Sequence, residues 1–244
     1  MKVFKKVLII VLSVILVAVT GIFALWHNEI ATVASITTII DQDLAHDDGY
    51  TYEMNVSGEY YFDDFLKQGG VSSDEELIQF ITGNITKGVI PMTIKTKEIA
   101  CSSFTAWTKD HQFVFGRNYD FDETNTAIVH TNPKGRHASV STIDLQFLGI
   151  DEKTGITGIK DKALLLAAPY IPLDGINDAG VACGIYMTYQ GEPTSPTNQN
   201  TEKPDITSTT LLRLILDYAD SVEEAIELAS QYDMHDSAGT SYHY

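Results

Sequence analysis

A thiol, a guanidinium and a carboxylate stand at fixed intervals in one stretch of the chain: Cys101, Arg117 and Asp120. A thiolate can attack a carbonyl carbon when a neighbour stabilises its charge and another group handles the proton, and these residue types suit that work. The residues between them supply the geometry. Positions 102–108 mix aromatic, β-branched and small side chains, Lys109-Asp110-His111 is a polar break, and Phe113-Val114-Phe115 resumes the apolar pattern. This pattern predicts two short strands joined by a turn. Such a hairpin brings its ends together, so Cys101 is expected near Arg117, Asn118 and Asp120 at one sheet edge. By residue type alone, a buried thiol beside a surface Arg–Asp pair stays open as the alternative.

A second polar turn, Asp174-Gly-Ile-Asn177-Asp-Ala-Gly180, lies between apolar runs. The Asn177 carboxamide could donate a hydrogen bond to a developing oxyanion, or merely close an Asx turn. The two cysteines are Cys101 and Cys183. In an oxidising compartment they could form one disulfide, as in a non-catalytic binding module. Cys183, within the apolar run Val181-Ala-Cys-Gly-Ile-Tyr-Met, also reads as an inert buried thiol.

The surrounding elements must hold these groups. With 44% hydrophobic and 20% charged residues, the 244-residue chain has globular composition. Its formal charge of -17 argues against nucleic-acid partners, whose phosphates such a surface repels. Lys2, Lys5 and Lys6 precede an uncharged apolar run over 7–26. That length spans a bilayer core as a helix, with the lysines inside and the remainder outside. A single-pass signal-anchor is expected at 1–26; a cleaved signal, leaving a secreted protein, is the alternative. Beyond it, an amphipathic helix is expected over 27–46, a Gly-turn hairpin over 50–62, and a helix from the capping box Ser73-Asp-Glu-Glu76 to Gly88. A β-rich stretch over 89–100 leads into Cys101. Strands are expected at 127–130, 139–143, 163–168 and 181–189, then an exposed loop over 191–204 and two helices, the second capped by Ser221. The ending Ser237-Ala-Gly-Thr-Ser-Tyr-His-Tyr reads as a strand just beginning, as in a fragment of a longer protein. Strands before helices, with little βαβ alternation, point to an α+β fold.

Three segments carry a resemblance: Cys-Ser-Ser-Phe-Thr-Ala at 101–106, Gly-Arg-Asn-Tyr-Asp at 116–120, and Leu-Asp-Gly-Ile-Asn-Asp-Ala-Gly-Val at 173–181. The sequence from about residue 100 to 244 resembles the choloylglycine hydrolase family, which includes penicillin V acylases. The resemblance implies a four-layer αββα N-terminal-nucleophile hydrolase fold, truncated on its C-terminal side. It also implies hydrolysis of a small N-acyl amide without a cofactor or metal, or acyl transfer by the same route. Cleavage of the Ala100–Cys101 bond would expose Cys101 as nucleophile, with its own amine as base, Asp120 orienting that amine, Arg117 beside the sulfur and Asn177 at the oxyanion. On that reading 27–100 is a propeptide or linker and 101–244 the incomplete hydrolase domain.

Overall fold

The computed structural model describes residues 2–43, 49–93, 100–121, 124–188 and 195–244. The chain starts with helix α1 (Lys2–Ser35), long and apolar enough to cross a membrane, with its apolar window wholly exposed. The helix kinks at Trp26 and then runs on, burying Glu29 and Thr32 against the body. The amphipathic helix expected over 27–46 therefore stops at Ser35. The β-branched run Thr37–Ile40 becomes strand β1 instead, because such side chains fit a pleated surface better than a helix. Residues 44–46 of that expected helix, 94–99 of the β-rich stretch and 191–194 of the loop lie outside the described residues; 89–93 form no strand.

Strand β2 (Thr51–Asn55) pairs antiparallel with β1, but no hairpin follows. Gly58, at φ 70°, and Tyr61, at φ 64°, turn the chain into helix α2 (Phe62–Lys67). Helix α3 (Asp74–Asn84) starts at Ser73, whose hydroxyl accepts from the Glu76 amide at 3.3 Å. The Glu76 carboxylate reaches back to Ser72 rather than Ser73. Next comes the hairpin β3 (Ala100–Trp107) and β4 (Phe113–Asp120), then β5 (Thr126–Thr131) and β6 (Ser139–Asp144). The apolar run at 163–168, expected as a strand, instead ends helix α4 (Ile159–Leu164) and forms a 3₁₀ turn over Leu165–Tyr170. A short fully apolar run has no period to separate buried strand from buried helix. Strands β7 (Asp174–Asn177), β8 (Ala182–Gly184) and β9 (Tyr186–Met187) follow. Then come β10 (Asp205–Thr207), α5 (Ser208–Tyr218), α6 (Val222–Ala229), β11 (Asp233–His235) and β12 (Tyr242–His243). The closing strand pairs with β9.

The main sheet runs β1-β2-β5-β6-β7-β8, antiparallel except for the β2–β5 pair. This is an α+β arrangement with one large sheet. Helix α5 lies close on β7: a Cβ at Gly175 would come within 2.8 Å of a Leu216 methyl and of the Val140 carbonyl. Only glycine permits that approach.

Residues ahead of Cys101 are woven into this body. They supply two strands of the sheet and the buried side chains Met54, Phe62, Phe65, Leu77 and Ile81. Phe62, Phe65, Phe80 and Tyr170 pack ring against ring, with the Phe62–Phe65 and Phe65–Phe80 centroids both 5.3 Å apart. A polar knot adds to this. The Asp217 carboxylate accepts from the Tyr60 hydroxyl at 2.6 Å and from Arg136 Nη1 at 2.8 Å. Arg213, wholly buried, reaches Thr131 at 3.2 Å, Ser139 at 3.0 Å and Asp217 at 3.6 Å. Burial of such charges is tolerable only with this degree of pairing. Helix α5, the sheet and the segment around residue 60 are thereby tied together.

Candidate active site

The hairpin sets the positions of the chemistry. β3 and β4 pair in continuous register, with Ala100 opposite Asp120, Cys101 opposite Tyr119 and Ser103 opposite Arg117. Arg117 reaches back along the hairpin, and its Nη2 lies 3.2 Å from Cys101 Sγ. The same nitrogen donates to the Ile185 carbonyl, in the break between β8 and β9. Nη1 donates to the Asn118 carbonyl at 3.1 Å, and the Tyr186 ring lies 4.2 Å from the guanidinium carbon. Arg117 Nε faces Asp174 Oδ2 at 3.7 Å, with no hydrogen bond among the described residues. The guanidinium is thus held on several sides and keeps one edge turned to the thiol.

Asp174 is the residue that sequence reasoning missed, although it stands in the turn that drew attention to Asn177. Its carboxylate accepts from the Thr142 hydroxyl at 2.5 Å. Burial raises its pKa, against the lowering effects of the Thr142 hydrogen bond and the Arg117 charge. The available signal was strand period: side chains at 174 and 177 leave opposite faces of β7. Gly184, which pairs with Asp174, also faces the guanidinium; a Cβ there would lie 3.1 Å from Arg117 Nε.

Asn177 is held on the other face. Its Nδ2 donates to the Ala219 carbonyl at 2.8 Å, and its Oδ1 accepts from the Val181 amide at 2.9 Å. The side chain closes the β7–β8 turn onto the end of α5, with its donor committed there. Cys101 and Arg117 are brought together; Asn177 points away from them. Asp120, exposed, accepts from the Asn118 side chain and sits across the ladder from Ala100.

The two cysteines are free, and strand alternation separates their thiols. Cys183 pairs with Gly175, whose face is covered by α5, whereas Arg117 and Cys101 lie toward the Asp174–Gly184 face. A disulfide needs converging Cβ vectors, so the bridge considered from sequence does not form here. Burial pushes the Cys183 thiol up to about 12, which makes it inert near neutral pH.

Cys101, Ser102 and Ser103 line a pocket of about 470 Å³ together with Cys183, Tyr186, His243 and Tyr244 among others. A half-exposed thiol beside a fixed guanidinium, at the mouth of a pocket of this size, can present a nucleophile to a small carbonyl compound. Among the described residues no cluster of His, Cys, Asp or Glu is arranged to hold a metal ion.

Comparison with curated proteins and with solved structures gives no match. Against protein families, residues 101–241 match the linear amide C–N hydrolases of the choloylglycine hydrolase family. The match begins at Cys101, ends at Ser241 just before β12 and takes in more than half of the chain. With its thiol and guanidinium inside that region, the chain belongs to the choloylglycine hydrolase family of linear amide C–N hydrolases.

Proposed function

We propose that the chain hydrolyses the amide C–N bond of a small N-acyl compound with Cys101 as nucleophile, after scission of the Ala100–Cys101 peptide bond. The observation that carries this reading is the 3.2 Å approach of Arg117 Nη2 to Cys101 Sγ at the pocket mouth. Water adds across the Ala100–Cys101 bond, leaving a carboxylate on Ala100 and an amine on Cys101. That amine, with an ordinary pKa of ~7.7–8.0, takes the thiol proton as the sulfur attacks the substrate carbonyl. It returns the proton to the departing amine, which leaves an acyl-thioester. Water then attacks the thioester and regenerates the thiol; an amine in place of water makes the same cycle an acyl transfer.

Arg117 favours the thiolate by its charge. Asp120 orients the new amine, a role supported by its place across the ladder from Ala100. An oxyanion role for Asn177 requires its amide to leave the Ala219 carbonyl; its present bonds support a role in fixing the β7–β8 turn. A hairpin facing the Asp174 side of the sheet, with α5 on the other side, is consistent with three of the layers in an αββα fold. In this reading the segment before Cys101 is not released, because two sheet strands and much of the core come from it. We read α1 as an uncleaved anchor that holds this body outside the membrane. Its support is an exposed apolar helix that continues without a linker into packed structure.

Intact-mass measurement on the purified chain tests the mechanism. The expected result is a break before Cys101, two pieces that co-elute under native conditions, and loss of both cleavage and acylase activity in C101A. Full activity from an uncut chain overturns it.

A further inference from the structure

The site just described leaves unused an apolar groove of about 400 Å³ where α1 meets α4. Its walls include Trp26, Ile30 and Val33 from α1, and Ile159, Ala163 and Leu166 from the α4 region. Ile159 is 73% exposed and Ile30 44% exposed, unusual for isoleucines lining one concavity.

The position of the groove along α1 gives it meaning. Trp26 ends the exposed apolar run, and tryptophan favours the membrane–water interface. Immediately beyond it the helix is clamped to the body. The Thr32 hydroxyl accepts from the Ser57 amide at 2.8 Å, the Ser35 hydroxyl from the Asn55 amide at 2.9 Å, and Lys162 Nζ donates to the Ile36 carbonyl at 2.9 Å. Glu29, the one acid on the groove wall, is buried, and its carboxylate accepts from Tyr61 at 3.2 Å. No linker separates span from body, so α4 has a fixed height. From Trp26 to Val33 is about 10 Å of helix axis, against an interfacial zone of roughly 5–7 Å on each side of a bilayer. The helix is broken at Trp26, so the segment that carries the groove is not a straight continuation of the span. Lys160 is exposed next to Ile159, on a chain whose formal charge is -17.

We infer that this groove is a second membrane contact: acyl chains of the adjoining phospholipid leaflet pack into it, with Ile159 among them and Lys160 at the level of the phosphates. This rests on reading α1 as an uncleaved anchor. The contact fixes the tilt of the body on the bilayer, which one span alone leaves free.

The test uses two single-tryptophan proteins in mixed phosphatidylcholine–phosphatidylglycerol vesicles, with and without lipid brominated high on the acyl chain. W107F keeps Trp26 as reporter; W26F/W107F/I159W places the reporter on α4. Both emissions are expected to fall to roughly half or less with brominated lipid, with I159W emission blue-shifted from that of an exposed indole. Quenching in W107F with none in the I159W protein overturns the groove contact and leaves the anchor standing. Absence of quenching in both overturns the anchor reading and this inference with it.

Discussion

Replacing Arg117 by Gln removes the positive charge from beside Cys101 and keeps a polar side chain. Arg117 Nη2 and Cys101 Sγ are 3.2 Å apart. A unit charge and a thiolate at that distance attract by about 1.3 kcal/mol in a bulk-water dielectric and about 5 kcal/mol at an effective value of 20. The thiol is half-exposed and the Asp174 carboxylate faces the same guanidinium, so the weaker figure applies. Over a full unit of charge on sulfur it corresponds to roughly a tenfold effect on rate. A less stabilised thiolate is intrinsically more nucleophilic, which returns about a factor of three. Alkylation of Cys101 by iodoacetamide at neutral pH is therefore expected to slow about threefold in R117Q. R117K, which keeps charge without the planar fork, should fall between. The rate is read by mass spectrometry of the Cys101 peptide, with thermal melts confirming a native fold. An R117Q protein that is folded and alkylates at the wild-type rate refutes the electrostatic role.

Under native conditions at pH 8, a thiol reagent should label Cys101 and spare Cys183, whose burial pushes it up to about 12; equal labelling of both would contradict the buried placement. D217N strips the counter-charge from the wholly buried Arg213 and should cost about 3–5 kcal/mol. For a body of this size that is a drop in melting temperature of roughly 6–20 °C, and a drop under about 3 °C would show that the knot is not stabilising. The hydrogen bond from His137 holds the Asp178 carboxyl below the ordinary carboxylate value. A depressed folded-state pKa contributes stability above the unfolded value, near ~3.9, that is lost as pH falls through the lower folded one. D178N should thus flatten the acid limb of a melting-temperature profile; an unchanged limb would remove the contact from the account.

Much of the hairpin was legible because its information is local. Alternating aromatic and β-branched residues on both sides of Lys109-Asp110-His111 specify two strands and a turn, and the register then fixes Cys101 near Arg117. The capped starts of α3 and α6 were legible for the same reason, since Ser73 and Ser221 bond to amides three residues on. The run over Leu165–Tyr170 was not, because a short, wholly apolar segment is equally compatible with buried strand and buried helix.

By itself, then, the sequence determined which residues meet through short-range pairing, and that an apolar helix leads the chain. Tertiary structure decided the rest. Alternation across β7 turned Asn177 toward α5 and Asp174 toward the guanidinium, a choice set by which face the rest of the sheet covers. Pairing of β2 with β5, far apart in sequence, drew the segment before Cys101 into the same sheet, where its hydrophobic side chains find the burial that no local pattern specifies.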